Sequence, residues 1–243
     1  MQNVLILGGA SDLGIALARK YASEKYSISI AGRNLTEMQL IAGDLAIRYG
    51  VDAAGYQFDA RNFDSHEQFY RNLIQKPAIG ICVFGFMGEA ARAIDDWSET
   101  RQVIETNYTG AVSICNVLAA EFLKLNAGMI IGISSVAGDR GRGSNFVYGS
   151  AKAAFTAYLS GLRNRLFKSG IHIMTVKPGF MYTRMTESLP LPALLTASPQ
   201  EAAEAIYRAA AGRKDIVYVK WFWAYLMLVI RNIPEFIFKK LSL

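Results

Sequence analysis

Tyr148 and Lys152 stand four residues apart in Val147-Tyr148-Gly149-Ser150-Ala151-Lys152. On a helix that spacing places both side chains on one face. A free phenol titrates at about pH 10, and a neighbouring ammonium favours the phenolate, bringing the group toward working pH as an acid or base. Proton transfer of this kind contributes a factor of about 100 to 10,000 in rate. Alone the pair says little, because Tyr-x-x-x-Lys spacings are common on solvated helix surfaces. Ser135 ends an apolar run upstream of it, and Asn107 lies in a still earlier helical segment.

A second group of residues points to a phosphate. The first apolar strand runs straight into Gly8-Gly9-Ala10-Ser11-Asp12-Leu13-Gly14, followed by the helix-compatible run Ile15 to Ala22. Glycines at a strand-to-helix junction let the backbone approach a pyrophosphate, whose charge meets the N–H groups and the positive helix end. Gly32-Arg33-Asn34 ends the second strand, where NAD-selective sites usually place a carboxylate. Arg33 is suited to pair with a 2′-phosphate, which favours NADP(H) over NAD(H); a solvated surface arginine is the competing reading. Asp12 brings a carboxylate close to the phosphates and weakens that argument. Asp59, closing the third strand, is read as a partner of the adenine amino group or as a turn-capping residue.

The elements that must position these groups follow from hydrophobic periodicity. Short β-branched runs alternate with longer amphipathic ones, the pattern of βαβ units and a parallel sheet. Strands are expected at Asn3 to Leu7, Tyr26 to Ile30, Ala53 to Phe58, Ile79 to Phe84, Met129 to Ser134, Ile171 to Val176 and Asp215 to Val219. The expected fold is therefore α/β, a Rossmann-type doubly wound, seven-stranded parallel sheet with helices on both faces and an apolar C-terminal helical tail. Residues 1–220 form the nucleotide-binding reductase domain in this reading and residues 221–243 the extension. The chain of 243 residues is 52% hydrophobic, enough for a sizeable core. Its net charge of +6 is scattered, so no nucleic-acid surface is indicated. Cys82 and Cys115 lie in apolar stretches without metal-ligand spacing, so reduced, buried thiols and no metal site are expected. The chain opens on Val4 to Leu7 with no charged leader, from which a cytoplasmic location is expected.

Taken in order, these motifs resemble the short-chain dehydrogenase/reductase family over nearly all of Asn3 to Val219. The glycine turn matches at Gly8 and Gly14, the adenine-contacting Asp at Asp59, and the family Asn at Asn107 in Glu105-Thr106-Asn107-Tyr108-Thr109-Gly110. Its Ser falls on Ser135, its Tyr and Lys on Tyr148 and Lys152, and its Pro-Gly segment on Pro178-Gly179 with Thr183 following. The resemblance implies that Tyr148 protonates a carbonyl oxygen polarised by Ser135, that Lys152 holds the nicotinamide ribose, and that Asn107 anchors a proton-supplying water chain. Ala10, Ser11, Asp12, Leu13, Ala60 and Gly85 join the expected cofactor contacts. Two departures stand out: Asp12 replaces the middle glycine of the turn, and the usual Asn-Asn-Ala-Gly reads Phe84-Gly85-Phe86-Met87-Gly88.

The tail narrows the substrate. Trp221 to Ile230 is unbroken apolar sequence, but as a helix it reaches only about 15 Å against a hydrocarbon core of about 30 Å. Extension to Phe238 brings Arg231 and Glu235 into the bilayer, at about 2.5–3.5 kcal/mol for a charge near its centre, and Pro234 interrupts the helix. Two readings remain, an interfacial anchor flanked by Lys220, Arg231, Lys239 and Lys240, or helices packed into the core or an oligomer interface. Met181, Met185, Leu189, Leu191 and Leu194 form an apolar candidate lid.

The glycine turn, Phe84-Gly85, Ser135 to Arg140, Asn145 to Lys152 and the aromatic tail resemble a subgroup of the family acting on lipid-linked sugars. That likeness implies reduction of a polyprenyl-phosphate keto-pentose at the inner membrane face, a flavin-dependent oxidase as partner, and Arg140 and Arg142 either facing the substrate phosphate or lying on the surface. Family precedent adds a homodimer or tetramer through the helices of Asn107 and Tyr148, with the bulky apolar tail placed to block the tetramer contact and leave a homodimer. A reductase of steroid, retinoid or fatty-acyl carbonyls and a catalytically silent nucleotide-binding protein are the alternatives. Intact Ser135, Tyr148 and Lys152 argue against the last.

Overall fold

Strand β1 (Asn3–Leu7) is buried along its whole length, with Val4 and Ile6 facing one apolar layer and Leu5 and Leu7 the other. A strand covered on both faces needs apolar residues at every position, which is why its sequence shows no alternation. The computed structural model describes residues 2–187 and 192–241. After β1 come α1 (Asp12–Ser23), β2 (Ser27–Gly32), α2 (Leu35–Tyr49), β3 (Ala53–Gln57), α3 (His66–Arg71), β4 (Ile79–Cys82), α4 (Trp97–Ile104), α5 (Gly110–Leu125) and β5 (Gly128–Ile133). The chain continues through α6 (Phe146–Leu166), β6 (Ile171–Pro178), β7 (Phe180–Met181), β8 (Thr196–Ala197), α7 (Pro199–Ala211), β9 (Ile216–Val219), α8 (Phe222–Asn232) and α9 (Glu235–Phe238).

The main sheet is parallel and seven-stranded, as the periodicity predicts, and its strands run in the order β3-β2-β1-β4-β5-β6-β9. Strand order reverses beside β1, which pairs with β2 on one side and β4 on the other. Such a switch point leaves a crevice at the carboxyl ends of the strands, where open α/β sheets bind ligands. One buried layer lies under α1, α2 and α7, the other under α3, α5 and α6. Cys82 and Cys115 are both free and buried, with their sulfurs 3.5 Å apart.

Local chemistry sets the helix starts. Ser11 caps α1 by accepting from the Gly14 amide, Asn34 caps α2, and Ser198 with Glu201 forms a capping box ahead of Pro199 in α7. The β7–β8 ribbon, pairing Phe180 with Thr196 and Met181 with Ala197, is absent from the sequence reading because strands of two residues carry no periodicity. Of the lid residues, Leu189 and Leu191 lie outside the described residues, while Leu194 is exposed. Among the described residues no helix is long and apolar enough to cross a membrane.

Candidate active site

Ser135 follows β5 directly, in extended conformation, and caps the short 3-10 turn Val136–Gly138 by accepting from the Ala137 amide at 3.1 Å. That turn lies directly on the first turns of α6. A Cβ on Gly138 would come within 2.7 Å of the Ala153 nitrogen, and one on Gly149 within 2.8 Å of the Ala137 carbonyl oxygen. The missing side chains let the Ser135 loop approach the helix closely enough for Ser135 and Tyr148 to share a hydrogen bond. Below them, Ser134 donates to the Lys152 carbonyl at 3.0 Å and lies 2.6 Å from the Thr156 hydroxyl, tying the strand end to α6.

Lys152 is buried, and its ammonium donates to the Ile133 carbonyl at 3.0 Å, 5.7 Å from the centre of the Tyr148 ring. Burial pushes Lys152 down to about 8 and Tyr148 up to about 12, the latter opposed by the Ser135 hydrogen bond. The expected lowering of the phenol by its neighbour is thus outweighed by desolvation, and Tyr148 holds its proton as an acid should. The signs give a pH dependence. Reduction needs both groups protonated, and Lys152 is the first to lose its proton as pH rises. The ratio kcat/KM for the cofactor, which reports groups of the free enzyme, is expected to fall about tenfold per pH unit above about 8. A profile flat from about pH 7 to 10 would remove Lys152 from this role.

Asn107 sits in a π-helical turn, Glu105–Thr109, between α4 and α5. Its amide donates to the Phe86 carbonyl at 2.6 Å and to the Val103 carbonyl at 2.8 Å, and its oxygen accepts from the Phe86 amide at 3.2 Å. The side chain therefore clamps the segment after β4 and acts as a positioning residue. Single π-turns inside helices recur at functional sites because they displace a backbone carbonyl from the helical ladder. Gly85 fits between these groups; a Cβ there would stand 3.0 Å from the Asn107 oxygen and 3.5 Å from the Lys152 nitrogen.

At the other end of the crevice the glycine turn is braced by Ser11, whose hydroxyl donates to the Gly8 carbonyl at 2.7 Å. Gly8 adopts φ +95°, and a Cβ would meet the Phe84 nitrogen at 2.5 Å. Ala10 and Leu13 complete the turn, and the first-turn amides of Asp12 and Leu13 are the donors that any helix start offers. Asp12 does not stand free beside them. Its carboxylate accepts from the Arg184 amide at 2.8 Å and from Arg184 Nε at 3.2 Å, while Arg184 Nη2 bonds the Ala10 carbonyl oxygen. The carboxylate is thereby neutralised, which removes the objection it raised to a 2′-phosphate. The contact also ties the turn that Thr183 caps, Arg184–Thr186, across Asp12. Arg184 was invisible to sequence reasoning because its partner lies 172 residues away.

Arg33 is exposed at the end of β2, with no carboxylate partner among the described residues. Asp59 accepts from the Arg61 amide at 2.9 Å, a turn-capping contact, and its own carbonyl oxygen lies 3.0 Å from His66 Nε2. Because a carbonyl only accepts, His66 carries its proton on Nε2 and its Nδ1 accepts from Ser113 at 2.8 Å. His66 is fully buried, and desolvation lowers its pKa, so it is a neutral brace of this loop that the sequence reading did not single out. Ala60 is buried beside it, its carbonyl oxygen in the space that a side chain on Gly110 would need.

Pro178 ends β6, and Gly179 carries no side chain where the Trp223 indole lies across it. Trp223 donates to the Leu195 carbonyl at 3.2 Å and packs edge-on against Phe180, while Met227 joins Trp223 and Val136 in a third apolar cluster. Helix α8 thus roofs the Ser135 loop. Beneath it Asp139 and Lys177 form an ion pair with both side chains buried, and Tyr218 donates to Asp139 at 2.8 Å. The two arginines of the loop part company. Arg140 donates to the Arg231 carbonyl at 3.1 Å and to Glu235 at 2.5 Å, and stacks on Phe238, so it faces the tail and not a substrate phosphate. Among the described residues Arg142 has no such partner. Next to Tyr148 a small cleft of about 50 Å³ is lined by Gly88, Glu99, Ser144, Asn145 and Val147.

A switch-point crevice with a glycine turn at one end and a Ser, Tyr and Lys cluster at the other defines a nucleotide-dependent oxidoreductase. The short chain dehydrogenase model matches residues 2–192, and the chain belongs to that family. Among its relatives is an uncharacterized oxidoreductase of Mycobacterium tuberculosis, 33% identical over 241 residues, covering 98% of this chain and 96% of that protein. In fold it is similar to a short-chain dehydrogenase from Sphingobium yanoikuyae in complex with NADPH, at TM-score 0.83 and 21% identity over 97% of each chain. A 7β-hydroxysteroid dehydrogenase gives TM-score 0.86 at 17% identity over 99% of this chain and 96% of its own.

Proposed function

We propose that the protein reduces a ketone to a secondary alcohol on a lipid-linked, polyprenyl-phosphate keto-pentose, with NADP(H) as cofactor. The observation that carries this reading is the double role of α8. Its inner face, Trp223 and Met227, covers the Ser135 loop and Gly179. Its outer face leaves Trp221, Tyr225, Leu228 and Val229 exposed, at helical spacing, and Phe236 and Ile237 of α9 extend the ridge. Lys220, Arg231, Lys239 and Lys240 flank it. An exposed apolar stripe bordered by cations suits an interface with anionic lipid, so residues 221–243 are read as a peripheral anchor on the cytoplasmic face of the membrane.

The crevice fits a dinucleotide. A side chain on Gly85 would crowd the Asn107 oxygen and the Lys152 ammonium, and that ammonium uses one of its three donors among the described residues. The glycine turn, Asp59, Ala60, Pro178, Gly179 and Thr183 border the bound cofactor in this reading, and the exposed Arg33 takes the 2′-phosphate. The NADPH held by the Sphingobium yanoikuyae enzyme supports that choice. Reduced nicotinamide, when bound, supplies the hydride. Tyr148 gives its proton to the carbonyl oxygen as charge builds there, and Ser135 offers a second hydroxyl to that oxygen. Lys152 holds ribose hydroxyls with its two unused donors, and Asn107 keeps the Phe86 segment in place.

In detail the chain is similar to the reductase subunit of the decaprenylphosphoryl-ribose epimerase, on the motifs already described, and a flavin-dependent oxidase would make the ketone. The test is NADPH oxidation by the full chain with a polyprenyl-phosphate 2-keto-pentose, beside a steroid ketone and a 3-oxoacyl thioester. Turnover confined to the keto-pentose is expected. Preference for either of the other two would replace this substrate class.

A further inference from the structure

We infer that Arg142 is the phosphate-binding residue of the substrate site, an assignment that rests on the reading of a phosphorylated lipid-linked substrate and adds to it the group that holds the phosphate. Arg142 lies between Ser135 and Tyr148, just ahead of the turn Gly143–Asn145 that leads into α6. Among the described residues its enclosed Nε has no acceptor, and its Nη2 reaches only the Met227 sulfur at 3.4 Å, a weak acceptor. Nearby charges are otherwise engaged. Asp139 is held by Lys177 and Tyr218, and Arg140 by Glu235 and the Arg231 carbonyl. Arg142 is half-buried without a carboxylate partner among the described residues, and burial lowers its pKa.

The same turn carries a second orphan. The Asn145 amide oxygen is buried without a donor and lines the cleft beside Tyr148. One turn next to the catalytic acid therefore offers an unmatched cationic donor and an unmatched neutral acceptor. A phosphate ester supplies the acceptor that the guanidinium lacks, with its attached sugar directed to the cleft that Asn145 lines. A steroid or a retinoid leaves the guanidinium unpaired.

The experiment titrates the full chain with farnesyl phosphate and with farnesol, comparing Arg142→Gln with the unaltered protein. Loss of a charged hydrogen bond predicts about a tenfold or greater weakening for farnesyl phosphate, with farnesol unaffected. Equal affinity of the unaltered protein for both probes, or equal loss for both in the variant, overturns the assignment. Thermal denaturation separates binding from a structural role. Arg142→Met removes a half-buried charge that has no carboxylate partner among the described residues and is expected to melt no lower than the unaltered protein; a clear drop overturns the proposal. Sedimentation with phosphatidylglycerol vesicles tests the other source of phosphate. Undiminished vesicle binding by Arg142→Gln is expected, whereas lost vesicle binding with unchanged farnesyl phosphate affinity assigns the contact to a headgroup and overturns it. Arg142-dependent phosphate binding without turnover of the keto-pentose leaves this subsite standing and removes only the proposed substrate.

Discussion

Replacing Tyr148 with Phe is expected to lower kcat for ketone reduction by about 100- to 10,000-fold, or about 3–5 kcal/mol of barrier. The substitution removes one oxygen and nothing else. The ring remains beside Lys152, whose ammonium keeps its bond to the Ile133 carbonyl, and Ser135 still caps its own turn through the Ala137 amide. Cofactor affinity should therefore hold, and only the proton donor is lost. Steady-state turnover of the keto-pentose together with a fluorescence titration of NADPH checks both halves. Turnover within about tenfold of the unaltered enzyme would show that another group supplies the proton. A large loss of NADPH affinity would instead mark Tyr148 as a binding residue.

Asp139→Ala is expected to destabilise the fold by about 3–5 kcal/mol, because it strands one half of a buried ion pair. The Lys177 side chain is 7% exposed and that of Asp139 3%, so water cannot replace the lost partner. Tyr218 would lose its acceptor too, leaving the Lys177 ammonium only the face of its ring at 5.4 Å. For a chain of this length the loss corresponds to a fall in Tm of about 6–20 °C. A combined Asp139→Leu and Lys177→Met variant removes both charges and should recover much of the stability. Thermal unfolding followed by circular dichroism measures both. If the single variant melts within about 2 °C of the unaltered protein, the pair does not hold this layer. The same substitution should also reduce turnover, since Asp139 ends the turn that begins at Ser135.

The expected strands fall within about two residues of the observed ones because each is a short run between helices of a different periodicity, and the central ones are apolar and buried on both sheet faces. Ser135, Tyr148 and Lys152 were legible for a related reason. Two of them share a helix face, and the third ends a strand whose position the periodicity gives. The site's supports were not legible. Asn107 reads as an ordinary helical residue, yet a π-turn directs its amide to the Phe86 backbone. Arg140 and Arg142 are two residues apart with the same chemistry, and one pairs with Glu235 while the other has an orphaned Nε. Asp12 reads as an intrusion of negative charge until Arg184 is placed against it.

By itself, then, the sequence determined the order of elements, the glycine turn after the first strand and the proposed group of Ser135, Tyr148 and Lys152. These depend on contacts between residues a few positions apart, or on periodicity within one element. Tertiary structure alone decided the protonation of the site, since desolvation, not the neighbouring ammonium, governs Tyr148. It also decided which charges are neutralised: Asp12 by Arg184, Asp139 by Lys177 and Arg140 by Glu235. Those pairings join residues 38 to 172 positions apart, and only the packed chain brings them within reach.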